Sequence, residues 1–184
     1  GRVPDQSGFA DLKRELRRFK NEQILRIGSR DLCGLAGLEE TTAELSALAA
    51  ASLQRSFEIC SLQLQEEYGE PQEETEEGVQ PATFCVLGMG KFGGLELNFS
   101  SDIDLIYCYS SPKGITAGGS KEASGIELHR YFVKLAELLT RALGQVTEDG
   151  FVFRVDTRLR PDGNNGDLAV SVSAAERYYE SWVQ

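Results

Sequence analysis

The 184-residue chain sets 19 lysines and arginines against 29 aspartates and glutamates, for a formal net charge of -10. Phosphate backbones are bound by basic surfaces, so this balance argues against a general nucleic-acid binder and leaves a protein partner as the better expectation. At 41% hydrophobic the chain can bury the core of one compact domain plus an appendage. It holds no apolar run of about 18 residues and no signal-peptide pattern, so no membrane span is expected and a soluble, cytoplasmic protein is.

Residues 9–27 are predicted as a helix, with Phe9, Leu12, Leu16, Phe19 and Ile24 on its apolar side and DLKRELRRFK charged between them. Leu32 to Leu38 is glycine-interrupted and reads as a turn plus a short helix. Thr41 or Thr42 starts the next helix, which runs to about Tyr68, and Thr41 with Glu44 forms a capping box. Leu45, Leu48, Leu53, Phe57, Ile59 and Leu64 supply its apolar faces. Glu66 to Gly78 holds seven glutamates and no basic residue, and is expected as a solvated linker. The chain is thus divided into a helical part (1–70), an acidic linker (71–80) and a catalytic part (81–184).

In the last part, Phe84 to Leu87 is a predicted strand, followed by a glycine-rich turn and a strand from about Asp102 to Tyr109. Ser110 to Gly125 has the composition of a mobile loop. Ile126 to Leu143 is an amphipathic helix with Leu128, Phe132, Leu135 and Leu139 on one side. Asp149 and Gly150 turn the chain into a third strand. Pro161 to Asp167 is a turn, Leu168 to Val172 a short strand, and Ser173 caps a last helix. Cys33, Cys60, Cys85 and Cys108 have no CxxC spacing, and Cys85 and Cys108 are expected as buried, reduced thiols. His129, the single histidine, reads as a helix-surface or packing residue.

Chemistry is concentrated in GMGKFGGLELNFSSDIDLIY, Gly88 to Tyr107. Alternate side chains of a strand share a face, so Asp102 and Asp104 project together. Paired carboxylates repel unless a cation lies between them, and hard divalent ions such as magnesium take oxygen ligands while keeping positions for water and phosphate. Gly88, Gly90, Gly93 and Gly94 let the backbone approach phosphate oxygens, with Lys91 offering a cation. A plain glycine hairpin turn is the alternative. A Walker loop is absent, and the GxGxxG spacing is followed by a predicted strand rather than a helix.

The third strand, Phe151 to Arg158, places Val152, Arg154, Asp156 and Arg158 on one face, so that Asp156 stands between two arginines. A structural salt-bridge row fits this pattern too. Read with the upstream aspartates, Asp156 completes a two-metal site for nucleotidyl transfer. Arg154, Arg158 and Arg160 are candidates to bind phosphate, since a guanidinium can hold two oxygens. Arg154 and Arg158 can equally serve to screen Asp156. Ser100 and Ser101 either bond phosphate or cap the strand end.

The order of glycine turn, SDxD strand start and later strand aspartate resembles the DNA polymerase β nucleotidyltransferase superfamily. GMGKFGGLELNFSSDIDLIY and DGFVFRVDTRLRPDGNNG are more closely similar to the glutamine synthetase adenylyltransferase family, over roughly Phe84 to Trp182. The resemblance implies an α/β (α+β) fold, a small mixed or antiparallel sheet backed by helices with a helical amino-terminal extension. It implies two Mg2+ ions on Asp102, Asp104 and Asp156, and phosphate contacts at Gly90, Lys91, Ser101, Arg154, Arg158 and Arg160. Many relatives carry Gly-Ser where Gly90 and Lys91 stand.

The family has two catalytic halves. One removes AMP from a tyrosine of glutamine synthetase by phosphorolysis, using inorganic phosphate and giving ADP; the other adds AMP from ATP. The wording here is closer to the first. An adenylylating head and a catalytically silent docking module are the alternatives. The resemblance implies a fragment of a longer enzyme, with the regulatory signal-transduction protein PII acting outside it.

Overall fold

A computed structural model describes residues 6–182, with side chains from residue 11 to 181. The elements are α1 (Gln6–Leu32), α2 (Leu38–Tyr68), β1 (Pro71–Thr75), β2 (Gly78–Pro81), β3 (Phe84–Met89), α3 (Gly90–Gly93), β4 (Ile103–Tyr109), β5 (Gly114–Thr116), α4 (Leu128–Gly144), β6 (Val155–Asp156), β7 (Ala169–Ser171) and α5 (Val172–Trp182). This is the mixed α/β fold with a helical amino-terminal part that the sequence predicts. Among the described residues no helix is long and apolar enough to cross a membrane.

The chain forms two compact units that interleave along the sequence. One takes residues up to Ile59, Gly88–Asp104 and Leu139–Asp156; the other takes Cys60–Leu87, Leu105–Leu138 and residues from Thr157 onward. The principal sheet has the order β3-β4-β6, with β7 also pairing β4. Both β6 and β7 run parallel to β4.

In the first unit, α1 and α2 are longer than predicted. The turn between them, residues 33–37, has no helix of its own, and Gly34 adopts φ +67°. Starting α2 at Leu38 places Thr41 inside the helix, so the expected capping box does not form. Instead Glu44 accepts from Arg26 and Arg30, each at 2.9 Å, and Thr41 Oγ1 donates to Asp31 at 3.3 Å. On α1, Leu12, Leu16 and Ile27 are buried, whereas Phe19 is 44% exposed because it falls at the edge of their stripe. The side chain of Phe9 lies outside the described residues.

The buried stripe of α2 also differs from the expected leucine faces. Leu45, Leu48 and Leu64 are buried, but between them run Ala49, Ser52, Ser56 and Cys60, while Leu53, Phe57 and Ile59 are only half-buried. Small residues at this spacing let other backbone approach closely. The serine hydroxyls cost little there, since Ser52 and Ser56 donate to the carbonyls of Leu48 and Ser52 at 2.8 Å.

Arg17 is the largest fully buried side chain. Its guanidinium donates to Lys13 O at 2.8 Å, Ala142 O at 3.1 Å, Gly150 O at 2.8 Å and also to Gln145 O. Burial lowers its pKa and Asp149 opposes that shift. The arginine thus clasps the carbonyls of the α4–β6 connection, where Gly150 turns back on Thr147 and Val152 bonds Leu143 O at 2.9 Å.

In the second unit, α4 carries the predicted face: Leu128, Phe132 and Leu135 are almost fully buried. Phe132 stacks on Phe84 at 5.6 Å and on Tyr109 at 5.0 Å between centroids. His129, expected as a surface or packing residue, bonds the Tyr109 hydroxyl through Nδ1 at 2.9 Å and faces Asp167 at 3.4 Å. The alternation of β3 turns Cys85 outward, so the expected burial holds for Cys108 alone. Cys85, Leu87 and Cys108 line an open groove with Val172, Ala175 and Tyr179 of α5. Ser171 rather than Ser173 accepts the Ala174 amide at the start of α5, at 3.3 Å.

Two loops expected to be free are structured here. The glutamate-rich stretch forms β1 and β2, which pair antiparallel and join β5 in a three-stranded sheet. Glu73 is buried in it, accepting from Gln80 at 2.8 Å and from Ser110. The predicted mobile loop contains β5 and then satisfies the last carbonyls of α2: Gly118, Ser120 and Lys121 donate to Tyr68, Glu66 and Glu67 at 2.8–3.0 Å.

Because Arg17 supports four backbone acceptors, Arg17→Ala should lower stability by about 3 kcal/mol, leaving buried carbonyls without donors. Arg14→Ala, which removes only the exposed pair with Asp11, should cost less than about 1 kcal/mol. Urea denaturation of the two variants beside the wild type measures the difference.

Candidate active site

The candidate site lies within the first unit, where β4 begins. β4 and β6 pair in parallel with Ile103 opposite Val155 and Asp104 opposite Asp156. Directly paired residues of neighbouring strands face the same side, so the two aspartates stand together while Ile103 and Val155 turn to the other side. Ile103 is fully buried and its amide donates to Arg154 O at 2.9 Å.

β6 is only two residues long. The strand predicted from Phe151 to Arg158 is therefore a short bridge, and its alternation fails upstream because Val152 and Phe153 are both buried. Those two side chains anchor the approach to β6. The exposed Arg154 is consequently free to turn toward the segment before β4.

The glycine turn contains one turn of helix, α3, in place of the direct run into a strand that the sequence suggested. Gly90 opens it at φ +53°, and a Cβ added there would lie 2.6 Å from Asp104 Oδ2. The glycine backbone therefore rests directly on the Asp104 carboxylate, as a residue with a side chain could not. A Cβ on Gly93 would meet Gly88 O at 2.5 Å, which holds the turn closed. Phe92 and Leu97 pin the segment into the core, and Leu97 N donates to the buried Ser46 hydroxyl at 3.2 Å.

The other predicted residues divide by what they touch. Asp102 is ion-paired with Arg154, whose Nη2 also donates to Ser100 O at 2.5 Å. Arg154 thus pairs with Asp102, where the sequence pattern suggested Asp156. Ser101 takes the capping role: its hydroxyl donates to Asn98 Oδ1 at 2.6 Å and accepts from Asn98 N at 3.2 Å. Lys91 on α3 reaches Asn98 Oδ1 at 3.4 Å.

Arg158 and Arg160 belong to the second unit. Arg160 spends its donors on the 157–166 turn, bonding Thr157 O at 2.7 Å, Thr157 Oγ1 at 2.9 Å and Gly166 O at 3.2 Å. Its place off the strand alternation follows from that turn.

Asp104 and Asp156 offer the oxygen donors that a hard divalent cation takes. The third expected ligand, Asp102, is held by a guanidinium. Accordingly no group of three histidine, cysteine or carboxylate side chains converges closely enough for a metal among the described residues. The donor chemistry suits the ion, while Asp102 Oδ1 is engaged by Arg154.

Sequence reasoning missed Lys20 and Asn98. Lys20 is one of several cations in the charged run of α1, and nothing in that run marks which one faces the interior. Asn98 had a weak signal, as an Asn two residues before a Ser-Ser pair at a strand start.

A sequence model described as glutamate-ammonia ligase adenylyltransferase matches residues 2–184. Similar proteins include the bifunctional glutamine synthetase adenylyltransferase/adenylyl-removing enzymes of Shewanella woodyi, Pseudomonas aeruginosa and Nitrosococcus oceani. The first is 44% identical over 92% of this chain, the second 44% over 97% and the third 45% over 90%. The aligned region is 17%, 18% and 16% of those proteins, so the chain spans about one sixth of their length. With the match running through both helical and sheet-bearing parts, the chain belongs to the glutamate-ammonia ligase adenylyltransferase family.

Proposed function

We propose that this chain is a metal-dependent nucleotidyltransferase-fold module that removes AMP from an adenylylated tyrosine of glutamine synthetase by phosphorolysis. The observation that carries the reading is the in-register pair Asp104 and Asp156, with the Gly90 backbone resting on the Asp104 carboxylate. Family membership supplies the macromolecular substrate, since the relatives are named as acting on glutamine synthetase in both directions. The choice of the removing direction rests on the wording of ELNFSSDIDLIY and DGFVFRVD.

In this reading Asp104 and Asp156, joined by Asp102, hold Mg2+, with two ions as the full complement. When bound, the ions supply charge neutralisation at the phosphoryl oxygens and activation of the attacking oxygen. The residues do the positioning on which phosphoryl transfer mostly depends. An oxygen of inorganic phosphate forms the new bond to the AMP phosphorus as the bond to the tyrosyl oxygen breaks. The phosphate proton ends on tyrosine, and ADP departs. Gly90 and Lys91 lie at the phosphate side of the carboxylates. Arg154, released from Asp102 when that carboxylate takes a cation, is then available to the attacking phosphate. Arg158 is a further candidate for it. In the longer family proteins, PII would act through parts outside this chain.

The second reading is the adenylylating head, with ATP as donor on the same carboxylates. It is favoured by the family description, which names the adenylyltransferase direction.

Adenylylated glutamine synthetase, Mg2+ and inorganic phosphate should yield ADP with the wild-type chain. Asp104→Ala and Asp156→Asn should each lower the rate by at least about 100-fold, since they remove proposed metal ligands themselves. AMP transfer from ATP to unmodified glutamine synthetase, without phosphate-dependent ADP, would instead identify the adenylylating head. Gly90→Ala should weaken Mg2+ binding by titration and cost about 1–2 kcal/mol of stability from backbone strain. Gly163→Ala has the same φ of +53° and only an ordinary contact at 3.5 Å, so it should show the strain without the loss of Mg2+.

A further inference from the structure

A small cavity of about 70 Å³ in the first unit is lined in part by Ser101 and Arg154, the chain neighbour and the ion-pair partner of Asp102. Its polar lining comes from Lys20 of α1, from Asn98, Ser100 and Ser101 ahead of β4, and from Arg154 ahead of β6. Ile24, Leu45, Phe99, Phe151, Val152 and Phe153 supply the rest of the lining, and the Lys20 ammonium lies 5.5 Å from the centre of the Phe151 ring. That contact is the only one recorded for the Lys20 ammonium among the described residues: no carboxylate or carbonyl engages it. Burial also lowers the Lys20 pKa, which is what a cation experiences when it is taken from water without a counter-charge.

Two cations therefore converge on one cavity, in a chain whose net charge is -10, and Asp102 is the one carboxylate bound to either. The arrangement has a surplus of positive charge and little room, with the mutually bonded Asn98 and Ser101 shaping its edge. At about 70 Å³ the cavity has room for a small oxyanion.

We propose that Lys20, Arg154 and the Asn98–Ser101 turn form an orthophosphate subsite next to the carboxylates. The identification of the anion as the attacking co-substrate rests on the phosphorolysis reading above. Lys20 serves as a point charge that holds the anion. Arg154 binds two of its oxygens once Asp102 no longer claims the guanidinium. The role of α1 follows from this: the helical amino-terminal part contributes a binding residue to the site as well as packing.

Calorimetric titration of the chain with inorganic phosphate in the presence of Mg2+, the condition under which Asp102 is proposed to release Arg154, tests the assignment. The wild type should bind phosphate, and Lys20→Met, which keeps the aliphatic stem, should weaken binding at least about tenfold. Lys20→Arg should restore most of it, and thermal unfolding without phosphate should stay unchanged in both. Equal phosphate binding by wild type and Lys20→Met, or none by either at millimolar phosphate, would overturn the subsite. Pyrophosphate bound as tightly, and with the same dependence on Lys20, would overturn the orthophosphate assignment. Should Lys20→Met fail to fold, Lys20→Gln replaces it with the same expectations.

Steady-state kinetics separates this proposal from the functional reading. ADP formation with an unaltered KM for phosphate in Lys20→Met would sink the subsite and leave phosphorolysis standing. Lys20-dependent phosphate binding without any ADP would do the reverse.

Discussion

Placing Asp104 and Asp156 side by side is the constraint around which the first unit is built. Two carboxylates on adjacent strands repel, so the strands do not pair there for the sake of those residues. The register comes from what lies around them. Ile103 and Val155 occupy the opposite side, and Ile103 is fully buried. Val152 and Phe153 sink into the core just ahead of β6, and Arg17 clasps the carbonyls of the connection from α4. A helix near the amino terminus thereby fixes the entry of a two-residue strand more than a hundred positions later. Slipping β6 by one residue would turn Asp156 away from Asp104 and expose Val155's partner face.

Around that pair the protein spends its few basic groups on particular tasks. Arg17 satisfies backbone acceptors, Arg26 and Arg30 tie α1 to α2 through Glu44, and Arg160 braces a turn. Arg154 is different, because its partner Asp102 is itself a candidate ligand. On the metal-dependent reading proposed above, the ion pair would hold Asp102 and Arg154 in place until each exchanged the other for a cation or an anion. Exposed ion pairs contribute little to stability, so such an exchange is energetically cheap.

The glutamate-rich stretch shows how composition misleads. Seven acidic residues without a basic one suggest a solvated linker, yet β1 and β2 pair there and recruit β5 from a segment of similar loop-like composition. Strand propensity is mostly a matter of what a residue packs against, and one of the two partners of β1, β5, is about forty residues away. Glu73 is tolerated inside because Gln80 and Ser110 donate to it. The seam of α2 is a second case. Serine, alanine and cysteine carry little hydrophobic periodicity, so the burial of this seam is not read from the apolar pattern of α2.

The sequence by itself determined the mixed α/β class, the amphipathic face of α4, the glycine turn ahead of β4 and the aspartates at its start. These are local patterns: helical periodicity, strand alternation and glycine freedom act within a few residues. It also carried the family resemblance, which is a matter of residue order alone. Tertiary structure decided which charges meet. That Asp156 faces Asp104, that Arg154 takes Asp102, that Arg17 is buried and that Lys20 reaches the same cavity as Ser101 all depend on segments distant in the chain. A side chain's partner is set by the packing of backbones that bring it there, and no spacing within one segment encodes that.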